Sequence, residues 1–539
     1  FLTPVQNTLD LGSLPWPEQP AIHESRHVQQ YNNFNVGLSK VLRILFGEGG
    51  QALGNELAVP NWFFEGDAVY NETLVSSQGR GRLPYFFNGY RALWAAGKNY
   101  SYMKLRNGSY VDYTPDHYPL GYMLISYGRE SYGDNFWRNV SHDAAAYRSL
   151  FFPFGHAFKR YAGRDFDTFR QDALSKFRQQ FDDDAAAGGH NGKHFIADEE
   201  YPAYLDDGTV VYMKSTYDHR PVFVLKKADV EKAVRVRDIS LDNYFACHKD
   251  KIVYAAYRPD ARWGYRNYSE LRVLDINTGA ERYLTHGSKY FAPDFNADGS
   301  EIVAVQESPD GNCAIHILNA GNGRVIDIVP NPHHLFFTYP KFYTNNRLIS
   351  AIRNSDGKMQ LALVDIRSGE ITTLLTSGYE PIGFPAVKGD TVYFTASSGN
   401  NDRLFALTVK DRKLYQLLTD SLQHSIGNYQ AAVNNKNLAW VSFTATGYRL
   451  HQTHFSSLKW RAVNPAQAFI PDNFGVTTLK SDTAANLLTG IKEQPLVAGS
   501  YSKAHKLFNF HSFIPSFNDP NYTFSLVGEN VLNTFQSSL

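Results

Sequence analysis

Long apolar runs are missing from this 539-residue chain. No stretch approaches the roughly 18 consecutive apolar residues that a membrane-spanning helix needs. Cysteine is scarce: Cys247 and Cys313 are the only two, with no Cys-x-x-Cys spacing, which excludes a disulfide framework and a cysteine zinc site. Two free thiols are expected. Net charge is absent too, because Lys+Arg and Asp+Glu are balanced at 53 each. Nothing draws the whole chain to nucleic acid or an anionic surface, so no nucleic-acid partner is expected. The first residues, FLTPVQNTLDLG, lack the charged start and apolar middle of a secretory signal, so a processed or truncated end is expected there.

Aromatic residues are plentiful, 34 Tyr and 37 Phe, which favours strand-rich structure over disorder. With roughly 150 residues per domain as a guide, the length asks for several domains. Over residues 1–180 the apolar residues recur at i, i+3 and i+4, as in AIHESRHVQQYNNF, NWFFEGDAVYNETL and YPLGYMLISYGRESYG, which predicts a mainly α domain. Residues 181–199, with the run FDDDAAAGGHNGKH, have linker chemistry. Residues 200–465 change to short β-branched and aromatic runs divided by Asp-Gly, Asn-Gly and Ser-Gly turns, repeating roughly every 40 to 47 residues. Six such units predict an all-β six-bladed propeller. Residues 466–539 form a β-rich extension. Its last part, KAHKLFNFHSFIPSF and YTFSLVGENVLNTFQSSL, alternates apolar and polar residues, as do the first strands of an outer-membrane barrel or a strand docked on the propeller.

The chemistry concentrates at Ala21–Gln30, AIHESRHVQQ. His23 and His27 stand four apart, so on a helix both rings leave one face and can reach one tetrahedral ion, with Glu24 beside them. A hydrolytic zinc needs a third protein ligand and an open fourth position. NWFFEGDAVYNET offers Glu65; a carboxylate among Trp62, Phe63 and Phe64 would be a costly isolated charge without a cation. Gly66 and Ala68 suit a close approach of this helix to the first. Asp67 and Glu72 are candidates for fixing the histidines from behind, and His117 and Tyr118 for donating to a developing oxyanion.

Two resemblances bear on these residues. FNADGSEIVAVQ, followed by units such as LRVLDINTGAERYLT and LALVDIRSGEITTLL, resembles the propeller repeats of the periplasmic Tol-system protein and of prolyl-oligopeptidase-like enzymes, which speaks to fold rather than activity. His-Glu-x-x-His followed by Trp62-x-x-Glu65-Gly66-x-Ala68 resembles the gluzincin metallopeptidases and, within them, the membrane alanyl aminopeptidase-like pattern. That resemblance implies Zn2+ on His23, His27 and Glu65, with Glu24 as general base in the hydrolysis of a peptide or protein substrate. The gap from His27 to Glu65 is longer than in the aminopeptidases and predicts inserted helices. The β-sheet that gluzincins carry before the active-site helix has only FLTPV to represent it here.

A helical gluzincin unit joined to a propeller and barrel-like strands also resembles envelope proteins of Bacteroidetes-type bacteria. It implies a periplasmic or outer-membrane setting, a propeller that docks an envelope complex or gates substrate, and outer-membrane association through the C-terminus. The alternative is a catalytically idle zinc-bearing scaffold.

Overall fold

A computed structural model describes residues 6–14, 18–76, 78–181, 196–264, 266–308, 311–469, 474, 506–531 and 533–539. FLTPV and nearly all of the expected linker, residues 182–195, lie outside the described residues. Among the described residues ten α-helices come first: α1 (Thr8–Leu11), α2 (Glu18–Asn33), α3 (Gly37–Ala58), α4 (Asn61–Val75), α5 (Pro84–Ala95), α6 (Tyr102–Asn107), α7 (His117–Tyr132), α8 (Phe136–Ala145), α9 (Pro153–Ala162) and α10 (Phe166–Phe181). The inserted segment between His27 and Glu65 is α3, bent at Gly47, whose φ is 72°.

Antiparallel sheets follow, at residues 197–236, 245–283, 290–329, 336–378, 382–418 and 426–454. The first four hold four strands each in up-and-down order, and the last holds three. The fifth gains a strand, Lys459–Ala462, laid antiparallel on Leu414–Leu418. Apolar clusters join each sheet of the second to sixth to the next; Val303 and Ile315, for example, pack in one core with Phe337, Leu348 and Ala362. The first sheet meets the last, because the Tyr448 N–H donates to Asp198 (2.9 Å) and the Leu450 N–H to Glu199 (3.0 Å). A succession of small sheets that closes on itself is consistent with the expected six-bladed propeller.

At five of the six blades the first strand carries a residue with left-handed backbone that is not glycine: Tyr201 (φ 55°), Ala292 (46°), Tyr339 (47°), Phe384 (53°) and Gln430 (58°). Each lies within or beside a register shift of its ladder, so these are bulges that re-aim side chains. Their rings meet: Tyr339 stands 5.0 Å from Phe384 and 5.4 Å from Tyr244, and Tyr201 lies 6.0 Å from Tyr244.

Contacts divide the chain into two compact units, and not at residue 180. One comprises the described parts of Phe1–Glu18, Gln78–Pro115 and Phe181–Asp472; the other, those of Gln19–Ser77, Asp116–Gln180 and Asn473–Leu539. Helix α5 belongs to the sheet unit because it is apolar nearly all round. It buries Phe87, Tyr90 and Leu93, and Asn88 donates to the Tyr429 hydroxyl at 2.6 Å.

The C-terminal alternation does make strands, Phe510–Asn518, Asn521–Glu529 and Gln536–Ser538, in one antiparallel sheet. Within their own unit they lie on α3. The Gly49 N–H donates to Ser512 Oγ (3.0 Å), Phe46 stacks with Phe513 at 6.4 Å, and a Cβ at Gly47 would come within 1.9 Å of the His511 carbonyl oxygen. Only a glycine admits the strand there. The face of this sheet bearing Phe517, Tyr522 and Phe524 is exposed. No helix among the described residues is long and apolar enough to cross a membrane. Cys247 and Cys313 are free thiols, as expected.

Candidate metal centre

The geometry of the helical unit begins with an aromatic core. Trp62 and Phe63 of α4 are buried against α8, α9 and α10, with Trp62 in ring contact with Trp137 (5.9 Å), Phe154 (5.6 Å) and Phe166 (5.7 Å). That anchors α4 by one face. A second face crosses α7 at two glycines: a Cβ on Gly66 would lie 2.2 Å from the Gly121 carbonyl carbon, and one on Gly121 would lie 1.9 Å from the Trp62 carbonyl oxygen. Gly66 thus allows a close helix approach, as its type suggests, but the helix that approaches there is α7 and not α2. Glu65 precedes Gly66 and Tyr118 stands one turn before Gly121, so the crossing brings the Tyr118 hydroxyl into hydrogen bonding with the Glu65 carboxylate.

Helix α2 supplies the histidines from one face. Their rings meet edge to face with centroids 5.0 Å apart. Glu65 Oε2 lies 3.1 Å from His23 Nε2 and 3.6 Å from His27 Nε2, and one ligand atom from each of the three residues falls within 4.8 Å of the others. Donors held tetrahedrally about 2.0–2.1 Å from one zinc ion would be roughly 3.4 Å apart, so the spacing suits such an ion. The His23 side chain is 9 % exposed, His27 21 % and Glu65 23 %, which leaves the cluster open on one side. Burial pushes the Glu65 carboxyl up, but hydrogen bonds from His23 and His27 outweigh it and hold the group below the ordinary carboxylate range. The same bond to Glu65 raises His27 above the usual histidine value against the effect of its burial.

Behind the cluster, Glu72 is fully buried and its Oε2 lies 3.4 Å from His23 Nδ1, also accepting from Gln19 at 3.3 Å. This is the carboxylate–histidine arrangement that orients metal ligands. Among the contacts described, Asp67 joins neither ligand histidine directly. It accepts from Arg26 Nε (2.8 Å) and Nη2 (3.1 Å) and from Gln30 Nε2 (3.0 Å), and Gln30 Oε1 in turn faces His27 Nδ1 at 2.9 Å. Gln30 is the residue that sequence reasoning misses; its position one turn beyond His27 was the available signal. Glu24 is exposed on α2 beside His23. The Tyr118 ring stacks at 6.3 Å on that of His23. His117 pairs with Asp116 (3.1 Å), its ring against Tyr118, and has no contact with Glu65 among those described.

No protein-family model matches the chain, and no curated protein matches it. Solved structures similar to it include TolB from Acinetobacter baumannii (17 % identity, TM-score 0.35, covering 42 % of this chain and 55 % of that one). Others are a puromycin-hydrolysing peptidase of Mycobacterium tuberculosis (10 %, 0.37, 51 % and 54 %) and the β-propeller domain of the Trilobed protease from Pyrococcus furiosus (12 %, 0.34, 49 % and 97 %). The chain spans little more than half the length of the first two. At these scores the likenesses carry no weight for activity, and the site rests on its own geometry.

Proposed function

We propose that the helical unit is a zinc-dependent peptidase centre, with His23, His27 and Glu65 as metal ligands and Glu24 as general base. The observation that carries this reading is the convergence of two imidazole Nε2 atoms and one carboxylate oxygen, open on one side, with Glu24 on the same helix. A zinc ion bound there would supply an acidified water and a Lewis acid for the scissile carbonyl. Glu24 takes the proton of the attacking water and passes it to the leaving amine. Tyr118, beside Glu65, donates to the oxygen that gains charge. His117 is the second candidate for that donation, since no described contact joins it to Glu65. The substrate class is a peptide or protein, and the propeller is assigned docking or gating in a bacterial envelope setting; that setting rests on the sequence resemblance alone.

Replacing Glu24 by Gln should leave zinc bound and lower chelator-sensitive peptide cleavage by about 10²–10⁴-fold. Full activity in that variant refutes the base assignment. Zinc bound by the native chain without any cleavage of a peptide library or casein would leave the scaffold reading in its place.

A further inference from the structure

Gln30 is 4 % exposed and its amide is engaged at both ends. Nε2 donates to the Phe64 carbonyl oxygen and to Asp67 Oδ2, each at 3.0 Å, while Oε1 faces His27 Nδ1 at 2.9 Å. A carbonyl and a carboxylate only accept, so both must be met by the amide NH2 group. The amide oxygen cannot donate, so His27 must bring the proton to it. Gln30 at 2.9 Å is nearer to Nδ1 than Glu65 at 3.6 Å is to Nε2, so Nδ1 is the protonated nitrogen of the neutral ring and Nε2 faces Glu65 as the atom that would bind a cation. Asp67 is immobilised by the two Arg26 contacts and by Arg129 at 3.7 Å, so the amide it grips has little freedom to turn over.

We propose that Gln30 is the positioning residue for His27: clamped by Asp67 and the Phe64 carbonyl, it fixes the Nδ1–H tautomer and aims Nε2 at the metal. The inference rests on the zinc reading above. The two ligand histidines are then backed differently. His23 has a carboxylate, Glu72, behind it, and His27 has a neutral amide. A carboxylate at position 30 would stand against Asp67, whereas glutamine passes on the orientation of Asp67 without adding its charge.

Two measurements on the full chain test this. Histidine-selective 15N NMR of the metal-free native protein, well above the histidine pKa and assigned with His27→Asn, should show His27 as the Nδ1–H tautomer; an Nε2–H tautomer overturns the proposal without any need for a Gln30 variant. Zinc affinity, read by competition with a chromophoric chelator, should fall about 10–100-fold in Gln30→Leu at a temperature where its metal-free form, checked by a cooperative melt, is still folded. An affinity within twofold of native overturns the positioning role while the zinc site stands, provided His23→Ala still abolishes binding. If the native chain binds no zinc, or His23→Ala binds as well as native, the metal reading itself falls and this proposal falls with it.

Discussion

Both units of this chain bury ionisable groups, and they do so to opposite ends. In the sheet unit Lys341 lies 3.5 Å from Asp294 and over the Tyr244 ring at 4.0 Å, and Arg237 is spent on the carbonyls of Asp242 and Asn243. Both of these cations are answered by neighbours. In the helical unit the second layer is answered in the same way, through Asp67 and Gln30, while in the first layer Glu65 and the two Nε2 atoms converge on one another, an arrangement that asks for a proton or a cation between them. Burial alone does not mark a site. Convergence of like-natured donors, held from behind by satisfied partners, does.

The largest break in that contrast is Glu65→Ala. Removing a ligand should cost more zinc affinity than the about 100-fold at the upper end for a supporting residue, and melting of the sheet unit should not move. Isothermal titration with zinc and calorimetric melting read the two halves. The reciprocal change is Lys341→Met. It leaves Asp294, 22 % exposed, without its cation, so a loss of about 1–3 kcal/mol in unfolding free energy is expected, with zinc affinity unchanged. A zinc effect there would mean that the two kinds of burial are not independent.

Gly121→Ala sharpens the comparison inside the helical unit. The added methyl meets the Trp62 carbonyl, so α4 and α7 must part, at about 1–3 kcal/mol of stability. All three metal ligands lie on α2 and α4, whereas Tyr118 lies on α7. Zinc affinity should therefore survive better than kcat, and equal losses in both would remove the case for Tyr118 as a donor.

How much of this the sequence made legible follows from the range of each signal. The histidines and Glu65 were readable because i, i+4 spacing on a helix and the Trp62-to-Ala68 pattern are local, and so were α2, α4 and the strand character of the blades. Gln30 was not, because its role depends on which backbone carbonyl and which carboxylate reach it from α4. The periodicity of α5 marks a helix but not the core it joins; Asn88 finds its partner on a strand more than three hundred residues later. The C-terminal alternation likewise defines strands without naming α3 as their support, which depends on the bend at Gly47. The left-handed residues of the inner strands are invisible for the same reason: Tyr201 and Phe384 adopt φ values that their side chains disfavour, and only the surrounding ring imposes them.

The smallest effect, and the most direct comparison of the two units, concerns pH. In the sheet unit burial, reinforced by the charge of Asp198, pushes the Glu200 carboxyl up to about 7. In the helical unit His27 is raised by Glu65. Both groups hold their protons more tightly folded than unfolded, so both contribute stability that is complete below their unfolded pKa values and is lost as pH rises through the folded ones. For Glu200 that window runs from the ordinary glutamate value of 4.5 to about 7. Melting temperature should decline across it, and Glu200→Gln should make the decline shallower, the remainder belonging to other buried carboxyls of this unit such as Glu307, which burial pushes up to about 8. His27 starts to lose its share only above the ordinary histidine value of 6.5, and zinc inverts the sign for that group and not for Glu200, because a ligand nitrogen must give up its proton. With zinc saturating, the upper part of the decline should therefore shrink in the native chain, and shrink by the same amount in Glu200→Gln. An upper decline that ignores zinc would assign it to the sheet unit and strip His27 of its place in the metal cluster.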